Sequence, residues 1–371
     1  MISIVFVIPT LDQSGAERQL TLLATNLPKD EFRVHVIALN RGGYYAAELQ
    51  RHGISVDILQ KRFRFDPLTF MRLKHRLRQL QPDIVQSYLF AANAYVRMPL
   101  VVPATSRVIV SERCVDSWKS GWQLRIDRWL VNRTDAMTAN SASVAAFYRD
   151  TVGVPEDRIH VIPNAVTHTA DESAKRDLRT ELGLPDDVRL IGFVGRLARQ
   201  KCLKDLVWAF QLLHQIVDQK VALVLIGDGP ERDAIAEFAV NMDCRDKLYL
   251  TGHRDDAAQL IADLDVFCLP SSFEGMSNSL MEAMACGVPV AVSDIPANLE
   301  LVTDGETGLT FPLGNSPELA KVLKRLLTDA KLSQRLSGAA KKRIVEHHSV
   351  EQLVSRHRNL YRQLLHGRTR Q

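Results

Sequence analysis

The sequence predicts an α/β protein of two successive Rossmann-like, doubly wound parallel-sheet domains facing a cleft. Three observations carry that expectation. Short Val/Ile-rich runs alternate with amphipathic stretches along the whole chain, the pattern of strands joined by crossover helices. The runs fall into two series, each long enough to build a sheet of its own. At 371 residues the chain exceeds one ordinary domain, and 46% apolar with 24% charged residues allows sizeable cores.

In the first series strands are expected at Ile2–Ile8, Arg33–Leu39, Ser55–Leu59, Ile84–Ser87, Arg107–Ser111, Ala136–Ala139 and His160–Ile162. The second series comprises Leu190–Val194, Ala222–Ile226, Leu248–Thr251, Val266–Leu269, Val290–Val292 and Leu309–Phe311. Between them Asn164–Asp187 has no strand-like run and is rich in Thr, Ala and charge. The boundary is placed there, giving a first domain at 1–165 and a second at 166–349. The last amphipathic stretch, Val350–Leu365, follows a completed sheet and is expected to pack back on the first domain. Gly367–Gln371 reads as a disordered tail, and His347-His348 as a solvated turn.

The net charge of +4 is uneven: residues 1–165 carry +6 and the remainder −2, so the first half should meet something anionic. Five cysteines without paired spacing argue for a reducing compartment. The opening ISIVFVIPT lacks a basic leader and reads as a buried strand. No run of eighteen apolar residues occurs, so a cytoplasmic protein, at most peripheral on the inner face of a membrane, is expected.

The richest stretch is LPSSFEGMSNSLMEAMACGVPV, with Glu274 and Glu282 eight positions apart. Val266–Leu269 reads as a strand stopped by Pro270, and a helix begins near Ser277 or Asn278 and ends at Gly287. The free amides and positive dipole end at that helix start suit an anion, with a carboxylate on either side to grip hydroxyls. The strand Leu190–Val194 leads into Gly195-Arg196 and then Lys201, two cations at the sheet's C-terminal edge. They could neutralise a diphosphate without a metal and stabilise it as a leaving group. Gly15, in Asp12-Gln-Ser-Gly-Ala-Glu17, lets backbone approach a ligand or simply turns into the next helix.

Other signals exclude chemistry. GDGPER lacks the third glycine of a dinucleotide fingerprint. Asp263 and Asp265 form a D-x-D, read as a strand start in preference to a metal site. No histidine pair, Walker loop or G-x-S-x-G elbow occurs. Lys61–Arg78 carries seven Lys/Arg and one acidic residue. Phe70, Leu73, Leu77 and Leu80 share one helical face, so the segment reads as a helix packed on its sheet with a solvated basic back. A weak contact with an anionic membrane is the alternative, and the lack of interleaved aromatics speaks against nucleic acid.

With these residues in hand, the chain resembles retaining GT-B glycosyltransferases, specifically glycosyltransferase family 4 (glycosyl transferases group 1), over nearly its whole length. IVFVIPTLDQSGAERQL is similar to that family's first strand and glycine loop, and IPNAV to its interdomain motif. GRLARQKCLKDLVWAF is similar to its phosphate motif, and EGMSNSLMEAMACGVPV to its E-x7-E signature. The resemblance implies transfer, without a metal or other cofactor, from a nucleoside-diphosphate sugar (a UDP-sugar first) to a hydroxyl of a glycan or lipid-linked acceptor. It implies that Glu274 contacts donor-sugar hydroxyls, with Arg196 and Lys201 at the diphosphate, and that Glu282 holds the ribose. Gly275, Met276, Ser277, Asn278 and Gly195 would line the phosphates, and Gly252, His253 and Arg254 the base. Ser14, Gly15, Tyr88 and Arg113 would lie on the acceptor side, Tyr88 replacing a histidine that usually borders the reacting centre. A donor phosphate oxygen would take the acceptor proton. A sugar-nucleotide epimerase or phosphorylase, and a non-catalytic sugar-nucleotide-binding protein, are the alternatives.

Overall fold

The computed structural model describes residues 1–116, 119–167 and 177–366. The expected tail at 367–371 and residues 168–176 of the boundary segment lie outside them. The chain packs as two compact units, Met1–Ala165 with the stretch from Val350, and Val166–Ser349.

The first unit holds a parallel sheet of β1 (Ile2–Thr10), β2 (Phe32–Arg41), β3 (Ser55–Ile58), β4 (Ile84–Tyr88), β5 (Arg107–Glu112), β6 (Ala136–Ala139) and β7 (Ile159–Val161). Its order is β3-β2-β1-β4-β5-β6-β7, with β1 flanked by β2 and β4. Alternation along β1 supplies two cores. Ile4, Phe6 and Ile8 join Leu20 and Leu23 of the helix Gly15–Asn26 and Leu353, Leu360 and Tyr361 of the helix Val350–His366. Val5 and Val7 face the other way, against Leu73 and Leu77 of the helix Pro67–Leu80 and Ala92 and Val96 of the helix Leu89–Arg97. Burial on both faces explains why β1 is continuously apolar. The terminal helix is more than a cover: Tyr361 Oη donates to Gln86 Oε1 at 2.5 Å, deep under the sheet.

The second unit holds β8 (Arg189–Val194), β9 (Val221–Ile226), β10 (Leu248–Gly252), β11 (Val266–Leu269), β12 (Val290–Ser293) and β13 (Leu309–Phe311). These are also parallel, ordered β10-β9-β8-β11-β12-β13. Each sheet therefore has one point where strand order reverses, β1/β4 in the first unit and β8/β11 in the second. Loops leaving the carboxyl ends of those strands diverge and open a crevice, where ligands bind in open α/β sheets.

The D-x-D sits at the opposite edge and has a structural task. Asp263 Oδ2 accepts from the Leu178 amide at 3.0 Å, and Asp265 accepts from the Leu190 amide at 2.8 Å and from Arg189 at 2.7 Å, while also pairing with Arg179. The expected solvated turn at His347-His348 is corrected. His348 is buried, and its carbonyl accepts from the Val166 amide at 3.0 Å where the chain closes the second unit.

Candidate functional site

In the second unit the reversal point is assembled from the loops after β8 and β11. Strand β8 leaves through Gly195, whose φ of 149° no side chain favours. Arg196 follows, exposed and without an ion pair among the described residues. A 3-10 turn, Arg199–Lys201, then leads through Cys202 into the helix Leu203–His214. After β11 the loop runs to Ser277, whose Oγ caps the helix Asn278–Cys286 by accepting from the Leu280 amide at 3.4 Å. Gly287 ends that helix in the left-handed conformation.

The two loops are stitched together. The Ser272 amide and Oγ both donate to Gln200 O, at 2.8 and 3.1 Å, and Lys201 Nζ lies 2.5 Å from Glu274 Oε1. That ion pair is largely enclosed, so neither partner is a loosely solvated surface charge. Lys201 and Glu274 are thus held together at the mouth of the helix, as expected from the sequence. Glu282 is buried one turn into the helix, four residues after Asn278 and on the same face. Gly275, Met276 and Ser277 are buried in the loop between. Nearby Ser271 is fully enclosed, and its Oγ has no hydrogen-bond partner among the described residues.

Three adjacent strand ends close the floor of this site. The Gly195 amide donates to Ile226 O at 3.0 Å, and the Gly227 amide to Gly252 O at 2.9 Å. A Cβ at Gly227 would lie 2.0 Å from Gly195 O, so β8 and β9 approach too closely for any side chain. The glycines of GDGPER therefore serve close backbone packing, a role the failed dinucleotide motif gave no hint of. The Arg254 guanidinium pairs with Asp256, 2.8 Å away, and with Glu181, bracing the turn after β10. His253 is exposed, 3.4 Å from Asp255.

In the first unit the reversal point lies between the loop after β1 and the end of β4. Ser14 and Gly15 are exposed at the start of the helix Gly15–Asn26. Asp12 ties that loop to Arg41 through contacts of 2.6 and 3.0 Å. Glu17, buried in the first turn, accepts from Thr10 Oγ1 at 3.2 Å and from Ser14 Oγ, and burial pushes its carboxyl up. The expected acceptor contact of Tyr88 is corrected. The ring is fully enclosed against Phe6, its hydroxyl accepts from Gln86 Nε2 at 3.0 Å, and burial raises the phenol further from neutral pH. Tyr88 instead supports Arg113, whose guanidinium lies 5.2 Å over its ring and donates to Asn164 Oδ1 at 3.0 Å.

A buried charge cluster beside Arg113 escaped the sequence reading. Lys119 Nζ lies 3.0 Å from both Asp116 and Asp127 and 4.0 Å from Glu112. Arg97 reaches Asp127 at 2.5 Å, and Asn93 Nδ2 donates to Glu112 Oε1 at 2.8 Å. Tyr148 Oη donates to Asp116 at 2.6 Å. Burial, only partly opposed by Lys119, pushes the Glu112 carboxyl up to about 7. Burial pulls the Lys119 ammonium down, but the three carboxylates outweigh it and hold its pKa above the usual range.

Among the described residues no group of three or more His, Cys, Asp or Glu is placed to hold a metal ion, and no helix is long and apolar enough to cross a membrane.

Two family models match. Residues 174–343 fit "Glycosyl transferases group 1" and residues 13–170 fit "Glycosyltransferase Family 4". The N-acetyl-alpha-D-glucosaminyl L-malate synthase of Bacillus anthracis is 29% identical over 64% of this chain, which spans 62% of that relative's length. A Campylobacter jejuni relative, named as an N-acetylgalactosaminyltransferase acting on a diphospho-undecaprenol-linked sugar, is 26% identical over 90% of this chain and 92% of its own. Among solved structures, Anabaena Alr3699/HepE in complex with UDP-glucose superposes with a TM-score of 0.84 at 22% identity, covering 97% of this chain and 99% of that one. The two parallel-sheet units are those of the GT-B fold. From its E-x7-E helix to its glycine-lined strand ends, the chain belongs to the glycosyl transferases of group 1, family 4.

Proposed function

We propose that the protein is a retaining, metal-independent glycosyltransferase. It moves a sugar from a nucleoside-diphosphate sugar, UDP-linked in the first place, to a hydroxyl of a glycan or lipid-linked acceptor. The observation that carries this reading is the Lys201–Glu274 pair held at 2.5 Å beside the start of the 278–286 helix. Lys201, Arg196 and the helix amides receive the diphosphate, and Glu274 turns its free oxygen to the sugar hydroxyls. Glu282 accepts from the ribose.

In the transfer, the acceptor oxygen forms a bond to the anomeric carbon as the bond from that carbon to the phosphate oxygen breaks. The electron pair stays on the departing diphosphate, and the acceptor proton passes to a phosphate oxygen on the same face. Lys201, held by Glu274, together with Arg196 and the helix amides, stabilises charge as it grows on the leaving group. They supply the positive charge that a metal would otherwise bring, which supports metal independence.

The Campylobacter relative's lipid-linked acceptor and the Anabaena complex with UDP-glucose support the acceptor class and the uracil base. The same reading places the protein in the cytoplasm, touching the inner face of an anionic membrane through residues 61–78. The decisive experiment is a thermal-shift and turnover screen against a panel of sugar nucleotides, with and without a chelator. Stabilisation and turnover by one donor, indifferent to the chelator, is expected. No response to any donor or nucleoside diphosphate would falsify the assignment. Donor converted without acceptor, seen by NMR of the sugar, would move it to an epimerase.

A further inference from the structure

Segment 62–72 turns the usual polarity of a surface loop inside out. Its acidic residue, Asp66, is buried. The carboxylate accepts from the amides of Leu68 at 3.0 Å, Thr69 at 3.3 Å and Arg62 at 3.0 Å, and from Thr69 Oγ1 at 3.0 Å. The Asp66 amide donates to Tyr95 Oη at 2.8 Å. This knot caps the helix Pro67–Leu80 and fixes the loop with its apolar side chains outward. Phe63, Phe65, Leu68 and Met71 are 69, 66, 60 and 64% exposed.

Leu68, Met71, Arg72, His75 and Arg78 recur at three- and four-residue spacing, forming one outward stripe that starts apolar and ends basic. The helix packs Leu73 and Leu77 on its sheet as expected, but its solvated back is apolar at Leu68 and Met71 as well as basic. Arg62, Arg64, Arg72 and Arg78 form no ion pair with a carboxylate among the described residues. Arg64 lies 4.5 Å over the Trp122 ring, which Phe65 meets at 5.9 Å, so the loop is braced in this form.

We propose that segment 62–72 is a bilayer-docking wedge. Phe63, Phe65, Leu68 and Met71 enter the headgroup–acyl boundary of a membrane containing anionic lipid, and Arg62, Arg64, Arg72 and Arg78 lie among its phosphates. Four exposed apolar side chains within one short segment, interspersed with cations, are what such an interface takes up. Insertion makes the contact partly independent of salt, which a basic patch alone would not be. The inference deepens the membrane contact of the proposed function. Its test needs neither donor nor acceptor, so it stands or fails apart from the sugar chemistry.

The full chain is sedimented with phosphatidylcholine–phosphatidylglycerol vesicles. The wild type should pellet at low salt and keep a bound fraction at ~0.5 M salt, where screening acts within about 4 Å. The variant Phe63→Ser/Phe65→Ser/Leu68→Ser should lower the partition about tenfold or more with its melting unchanged. Arg62→Glu/Arg64→Glu should remove the preference for anionic over neutral vesicles. Should the serine variant misfold, quenching of the unaltered protein's tryptophan fluorescence by brominated acyl chains decides, through Trp122 beside the wedge. A wild type left in solution at low salt overturns the proposal. So does binding wholly abolished by salt, a serine variant that pellets like wild type, or no quenching.

Discussion

Lys201 and Glu274 constrain each other: the ammonium satisfies one carboxylate oxygen, and the pair holds both charges at the helix mouth. On the proposed function, the second carboxylate oxygen takes a sugar hydroxyl. Glu274→Gln keeps the shape but loses the charge, so kcat is expected to fall about 10²–10³-fold with a smaller change in donor affinity. Glu282→Ala should instead raise the nucleotide Kd by about tenfold, the worth of one charge-assisted hydrogen bond. Isothermal titration with nucleoside diphosphate and initial rates on the same preparations separate the two. Equal loss of kcat and affinity in both variants would sink the division of labour. Glu112 offers a separate test by pH. Its folded pKa lies near 7, above the ordinary carboxyl value, so the unfolded chain releases this proton first as pH rises. Stability from this group is full below the ordinary carboxylate range and is lost as pH climbs through about 7. Glu112→Gln, which keeps the contact with Asn93, should flatten that decline in urea-unfolding free energy. An unchanged slope would mean that Glu112 is ionised throughout.

At the scale of elements, the three joined strand ends of the second unit are the least tolerant feature. Gly227 has a φ of +140° and faces Gly195 O at a distance no Cβ can occupy. Gly227→Ala must therefore separate β8 from β9 at the edge that carries Arg196. A loss of about 2–4 kcal/mol by urea unfolding is expected, with weakened nucleotide binding even though Gly227 is not assigned a contact with it. Full stability with unchanged affinity would show that the edge can relax. This packing also marks where sequence reading stops. Every strand was legible, most plainly β1 and β9, whose long apolar runs are buried on both faces. The 278–286 helix was legible to its caps, since Ser277 and Gly287 announce its ends chemically. The approach of Lys201 to Glu274 was legible because each follows a strand at a short distance. The Lys119 cluster was not, since its partners come from three separate elements and no local period links them. The enclosure of Tyr88 was not legible: sequence position places it at the sheet edge, and only the fold reveals Phe6 and Gln86 around it. The outward Phe63 and Phe65 were hidden likewise, because apolar residues before a helix normally turn inward.

For the whole molecule, the helix Val350–His366 makes stability depend on the far end of the chain. Leu353, Leu360 and Tyr361 fill the core between Phe32, Ile4 and the 15–26 helix, and Tyr361 satisfies Gln86 beneath the sheet. Each such side chain contributes about 1.5–3 kcal/mol by burial, so together they approach the whole margin of a typical domain. A chain ending at Ser349 should therefore lose the cooperative melting of the first unit, while the second unit, which has its own core from Val166 to Ser349, still folds. Nucleoside diphosphate separates the two in one calorimetric experiment. It should stabilise the second unit by about 2.7 kcal/mol at a hundred times its Kd, and that shift should survive truncation while the other transition disappears. The outcome that sinks the argument is loss of both transitions together. That would mean the second unit cannot fold without the first, and that the donor site is not self-contained within Val166–Ser349.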